Sequence, residues 1–242
     1  MSVKPQIQIF KSQASMITGF INLWQDVARE ALIHTGRFTI AVSGGKTPIP
    51  YFKGLADKIP ATIWQNTHLF LVDERHVPFT DPDSNYGMIQ KNLLDRLEMS
   101  ESNLHPIPYE KTAELSAKAY EAGLKQFFGN ASLPEFDFIM LGLGTDGHTA
   151  SLFPKNPALK EMMKWTASAE QTDVPHRRIT LTYPVLNAAK NVVFVVEGEE
   201  KSQRIKDIVS DRKKAYPATQ IQTTTGKLIW MLDDQAASLL SK

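Results

Sequence analysis

The sequence predicts an α/β fold, a mainly parallel sheet flanked by helices, in a single domain spanning residues 1–242. Three observations predict it. Short, almost continuous apolar runs recur along the chain, as expected of strands buried on both faces. Helix-period patterns lie between those runs. Several of the runs pass directly into polar loops rich in Gly or Asp, which is how ligand-bearing edges of such sheets are built.

In chain order, Gln6 to Phe10 alternates polar and apolar residues like a short strand. From Ser12 the period changes. Met16, Ile17, Phe20, Ile21, Trp24, Val27, Ala28, Ala31 and Leu32 recur at three- and four-residue spacing, which predicts a long amphipathic helix that Gly36 ends. Phe38–Val42, His68–Val72 and Phe136–Leu141 read as buried strands, with helices over Pro48–Lys58, Ser84–Leu97 and Ala113–Phe128. The last third adds strands at Ile179–Thr182, Val192–Val196 and Lys227–Leu232, a helix from about Glu199 to Val209, and a closing helix from Asp234. No repeat or low-complexity tract interrupts the chain.

Bulk composition excludes several function classes. Twenty-seven Lys+Arg stand against 26 Asp+Glu, a net charge of +1, so no basic surface argues for nucleic acid or an anionic membrane as partner. Any anion specificity has to come from a few locally placed cations. There is no cysteine, hence no disulfide frame, thiolate nucleophile or Cys-ligated zinc. The first ten residues carry no signal-peptide pattern and no apolar run approaches membrane-spanning length, so a cytoplasmic location is expected.

Three loops carry the chemistry. Ser43-Gly44-Gly45-Lys46-Thr47-Pro48 offers adjacent glycines, two hydroxyls and an ammonium at a helix start. That combination suits a phosphate, since glycines let backbone N–H groups approach an anion and the helix dipole favours it. The competing reading is a plain strand-to-helix turn with a solvated lysine. A nucleotide P-loop would need glycine at position 40, which is Ile40. Gly142-Leu143-Gly144-Thr145-Asp146-Gly147 matches the dinucleotide fingerprint, but Pro154 and Pro157 break the helix it requires; no nucleotide cofactor is expected.

In Asp146-Gly147-His148-Thr149, an imidazole on a rigid loop is suited to take a proton from water, with Asp146 placed to orient the ring. A turn histidine capping a helix is the bland alternative. Asp73-Glu74-Arg75-His76 clusters four ionisable groups at a strand end, where the Arg75 fork suits an oxyanion or a phosphate. A surface ion-pair cluster is the alternative there. A metal held by Asp73, Glu74 and His76 is disfavoured because successive strand residues point apart, and no H-x-x-x-H spacing exists. His34, His68, His105 and His176 have no partner pattern and read as structural or solvated.

Taken together, AVSGGKTP, LFLVDERHVPFTDPDSNYG, IMLGLGTDGHTASLFP, RRITLTYPVLNAAKNVVFVVEGEEK, YPATQIQ and LIWMLDDQAA run in order from about residue 41 to 237. They resemble the 6-phosphogluconolactonase family, which is related to glucosamine-6-phosphate deaminases. The resemblance implies a modified Rossmann-like sheet and hydrolysis of 6-phospho-D-glucono-1,5-lactone in the pentose phosphate pathway, without metal or organic cofactor. It implies that Ser43, Gly44, Gly45, Lys46 and Thr47 form the phosphate loop, with Arg178 and Lys201 as further phosphate contacts. His148 corresponds to the proposed general base with Asp146 beside it, and Arg75 to the arginine near the reacting end. Asp73 and Asn85 lie in matching segments as substrate-binding candidates. The expected partner is a small phosphorylated sugar lactone, the chain acting as a monomer or weak homodimer.

Two rivals follow from the same residues. The deaminases resemble this chain in the D-G-H loop but carry a glutamate seven residues after the aspartate, where this sequence has Phe153. A non-catalytic sugar-phosphate sensor of the related regulator type would carry a DNA-reading helix-turn-helix before the sheet, and only one strand and one long helix precede Phe38.

Overall fold

The computed structural model describes residues 4–129, 131–171 and 175–240. Seven strands form one parallel sheet: β1 (Gln6–Phe10), β2 (Phe38–Val42), β3 (Thr67–Leu71), β5 (Leu104–His105), β6 (Phe138–Leu141), β9 (Asn191–Val196) and β10 (Lys227–Asp233). Their order is β1-β10-β9-β6-β2-β3-β5, and every neighbouring pair is parallel. The expected single-domain α/β architecture is what forms.

Helix α1 (Gln13–Thr35) shows how the sequence positions this frame. Ser12 caps it, accepting from the Ser15 amide, and Gly36 closes it in the left-handed region at φ 71°, a conformation glycine adopts without steric cost. Its buried face, Met16, Phe20, Trp24, Val27, Ala28 and Ala31, covers the sheet. Trp24 meets Phe138 at 5.1 Å and Phe38 at 5.3 Å between ring centroids, so one helix residue locks two adjacent regions of the core. The remaining helices are α2 (Ile49–Lys58), α3 (Ala61–Trp64), α4 (Asn85–Asn92), α5 (Ala113–Phe128), α6 (Tyr183–Ala188) and α7 (Ser202–Ile205). Among the described residues, no helix is long and apolar enough to cross a membrane.

The structure corrects the sequence reading in four places. Asp73-Glu74-Arg75 is not a loop but a strand, β4 (Asp73–Arg75), in a second, antiparallel sheet with β8 (Arg178–Leu181) and β7 (Thr166–Ala169). The expected strand at Ile179–Thr182 therefore belongs to this small sheet, shifted by one residue. Helix Ser84–Leu97 stops at Asn92, because Leu93 leaves helical geometry (φ −129°, ψ −63°), and a 3₁₀ turn follows. The closing helix from Asp234 is absent: the Asp233 carboxylate takes the Ala236 amide at 2.7 Å, and the chain continues as turns through Ser238 and Leu240, a local side-chain bond of the kind that competes with helix.

Val72 joins the two sheets. Its amide donates to Val42 and its carbonyl accepts from Leu181, at 3.0 and 2.9 Å. The small sheet is thereby fixed at the carboxyl edge of β2 and β3, beside the loops after β2 and β6.

Candidate active site

Strands β6, β2 and β3 are adjacent, so the loops leaving their carboxyl ends share one crevice. That crevice is a cavity of about 210 Å³, lined by Ser43 through Pro48, Asp73, Arg75, Asn85, Gly142 through Gly144, His148 and Thr149, among others. Segments about a hundred residues apart in sequence meet there.

The Ser43–Thr47 loop is left open to a ligand. Among the described residues, the backbone amides of Gly44, Gly45, Lys46 and Thr47 have no hydrogen-bond acceptor, while Ser43 N is engaged by Met140 O at 3.1 Å. No side chain caps the start of α2, and Gly45 sits at φ 96°. The Ser43 hydroxyl and the Asn85 Oδ1 are both buried without a partner among the described residues, and buried polar groups in that condition are costly unless something arrives to satisfy them. Gly44 packs on Asn85 so closely that a Cβ there would lie 1.9 Å from Oδ1.

Asn85 is held by the small sheet. Its Nδ2 donates to Asp73 O at 2.9 Å. Glu74, buried behind the site, accepts from the amides of Arg75, Asn85 and Tyr86 and from the Ser84 hydroxyl, which anchors the start of α4. Burial pushes the Glu74 carboxyl up, while those three amides pull it back. Asp73 accepts from Ser151 Oγ at 2.6 Å, and His76 Nε2 faces Glu110 O at 2.9 Å. The three groups weighed as metal ligands thus have separate protein partners. The carboxylate–histidine group with metal-compatible spacing among the described residues is instead Asp81, Asp83 and His176, mostly exposed.

On the other loop, His148 Nδ1 lies 2.6 Å from Asp146 Oδ1, and the His148 amide donates to the same oxygen at 3.1 Å. A carboxylate can only accept, so Nδ1 carries a proton toward Asp146, and in the neutral imidazole the lone pair is left on Nε2. Burial works against the Asp146 charge, but the hydrogen bonds from His148 outweigh it and hold the carboxyl below its usual range. Gly144 is required here: an added Cβ would lie 2.1 Å from His148 Nδ1. Phe153, where the deaminase pattern has glutamate, is buried with its ring 4.7 Å from the His148 ring.

Arg75 lines the cavity and donates Nη1 to Asp83 O at 2.7 Å. Asp146, Arg178 and Lys201 are not in the lining. Asp146 instead contacts the His148 ring. Arg178 pairs across the sheet with Arg75 and donates to the carbonyls of Pro175 and His176; burial first, then the Arg75 charge, lowers its pKa. Burial also lowers Lys201, against the opposing pull of Glu200 and Asp146. Sequence reasoning placed Thr149 in the His148 motif but gave it no role; the threonine lines the cavity, and its Oγ1 ties back to Gly142 O at 2.9 Å. Sequence reasoning missed Ser151, whose only signal is its place in the same motif.

Residues 11–230 match the model of the family described as glucosamine-6-phosphate isomerases/6-phosphogluconolactonase. The chain belongs to this family. It is 37% identical to the 6-phosphogluconolactonase of Nostoc sp. over 99% of this chain and 100% of that one. Against the 6-phosphogluconolactonase of Rattus norvegicus it is 38% identical, over 97% of this chain and 93% of the relative. The solved 6-phosphogluconolactonase of Trypanosoma cruzi superposes with a TM-score of 0.90 at 27% identity, covering 100% of this chain and 99% of that one.

Proposed function

We propose that this chain hydrolyses 6-phospho-D-glucono-1,5-lactone to 6-phospho-D-gluconate, with His148 as general base and without a metal. Full-length relatives bearing the lactonase name support the activity, and the chain is a lactone hydrolase. The observation that carries the mechanism is one cavity holding both an uncommitted amide loop and an Asp146-oriented imidazole.

In this reading the phosphate sits on the Gly44–Thr47 amides with Lys46, and its binding places the lactone carbonyl near His148. Nε2 removes a proton from water as it attacks the carbonyl carbon. Arg75 receives the developing oxyanion. Collapse of the tetrahedral intermediate expels the ring oxygen, which takes the proton back from the imidazolium. Asp73 and Asn85 contact the sugar, while Arg178 and Lys201 add positive field from outside the lining. General-base help is worth roughly 10²–10⁴ in rate and one oxyanion donor about 10²–10³, enough for an ester that already hydrolyses unaided. Phe153 in the glutamate position disfavours the deaminase reading, because ring opening and proton shuttling need that carboxylate.

The test is acid release from freshly made 6-phosphogluconolactone above the spontaneous rate. The expected result is activity unaffected by EDTA and a fall of about 10²–10⁴ in kcat for His148→Ala. Full activity in that variant would remove the base assignment; loss of activity with EDTA would remove metal independence. Ammonia release from glucosamine 6-phosphate would favour the deaminase instead.

A further inference from the structure

The loop carrying Asp146 and His148 is clasped from outside by a segment that makes no contact with the cavity. Residues Glu199 to Ser210 wind successively as 3₁₀, α and π turns, and π turns within helices often mark functional sites. From this segment Arg204 donates Nε to Thr145 O at 3.0 Å. The Arg204 guanidinium also lies 4.1 Å over the Tyr216 ring. That ring fills the space beside Gly147, where an added Cβ would sit 2.7 Å from Cδ1, and Ala218 N donates to Gly147 O at 3.1 Å. Thr145 and Gly147 flank Asp146 in the chain, so both shoulders of the aspartate are held by one unit.

Asp207 binds that unit together. It is 3% exposed and accepts from Gln203, Arg204, Lys213 and Tyr216 at 3.0, 3.1, 2.7 and 3.0 Å. Hydrogen bonding from Lys213 first, then from Gln203 and Tyr216, brings its carboxyl down to about 2 against the effect of burial. Its carboxylate holds the Arg204 fork through a charge-assisted hydrogen bond at 3.1 Å.

We propose that Arg204, clamped by Asp207 and stacked on Tyr216, is a positioning residue that sets the Asp146–His148 pair through the Thr145 carbonyl and Gly147. The proposal rests on His148 being the base. None of these three residues lines the cavity, so they act on the geometry of the ring and not on substrate binding. A displacement of about 1 Å in a catalytic group can cost on the order of 10² in rate.

Arg204→Ala is expected to lower kcat about 10- to 100-fold with KM for the phosphorylated lactone within about twofold. In ¹⁵N spectra of the His148 ring, recorded where the imidazole is neutral, the wild-type pattern of protonated Nδ1 and bare Nε2 is expected to give way to a mixture of tautomers. Asp207→Asn, nearly isosteric, should move both readouts in the same direction by a smaller factor, and it carries the test if Arg204→Ala does not fold. A purely structural role would lower the melting temperature while leaving kcat per folded enzyme and the ring tautomer unchanged, and that result overturns the proposal. The ring spectrum does not depend on turnover. Full activity of His148→Ala with a shifted ring in Arg204→Ala would therefore sink the base assignment alone, and an inactive His148→Ala with unaltered Arg204→Ala would sink only the positioning role.

Discussion

The two loops that face each other across the cavity are built in opposite ways. In Ser43–Thr47 four successive amides and a buried hydroxyl lack partners among the described residues. In Gly142–Thr149 the bonds close on themselves: Gly144 N to His148 O at 2.8 Å, Gly147 N to Gly144 O at 3.0 Å, Thr149 Oγ1 to Gly142 O at 2.9 Å. In the proposed function the first loop keeps its hydrogen-bonding capacity for the substrate phosphate. The second spends its capacity on holding one ring still. Phosphate recognition needs donors that are free, whereas proton transfer needs a nitrogen whose direction does not wander.

That contrast can be broken from either side. The largest effect is expected at the rigid loop. Gly144→Ala puts a methyl group onto His148 Nδ1 and should lower kcat about 10²-fold with little change in KM; a variant with normal kcat would show that the ring is free to move. The open loop should respond differently. Lys46→Ala is expected to reduce kcat/KM for the phosphorylated lactone by about 10-fold or more, the loss of a charge-assisted contact, and to spare the unphosphorylated lactone. Equal losses on both substrates would show that Lys46 does not read the phosphate.

The smallest effect lies away from both loops and concerns stability. His68 Nδ1 and His105 Nε2 are 3.2 Å apart, and His105 stacks on Phe70 at 4.1 Å. Burial lowers both, with His105 brought down to about 4. The unfolded chain then binds more protons than the folded one between about pH 6.5 and pH 4, so stability falls as pH falls through that window. His105→Phe should flatten this part of the stability profile by about 1–2 kcal/mol, allowing for partial solvent screening. Denaturant unfolding across that pH range measures it, and an unchanged slope would locate the titration elsewhere.

The sequence carried most of the frame because its signals were local. The spacing from Met16 to Ala31, the Ser12 cap and Gly36 specify α1 without reference to the rest of the chain. The site loops were legible for the same reason, since glycines, a histidine and a strand end stand within a few residues of each other. What escaped was set by distant pairing. Asp73-Glu74-Arg75 looks like a charged loop until β8, a hundred residues later, offers it an antiparallel partner. Likewise the absence of Arg178 and Lys201 from the cavity lining depends on how the small sheet and the Glu199–Ser210 turns are placed, which no periodicity encodes. Asp207 and Arg204 stand in no motif of the sequence, and only the fold gathers four donors onto one carboxylate.

The central claim is that an anion cradle and an oriented imidazole serve one substrate. A crystal structure with 6-phosphogluconate bound tests it most directly. The phosphate is expected on the Gly44–Thr47 amides, with the product carboxylate within hydrogen-bonding distance of His148 Nε2. A phosphate bound elsewhere, or a carboxylate turned away from His148, would contradict it.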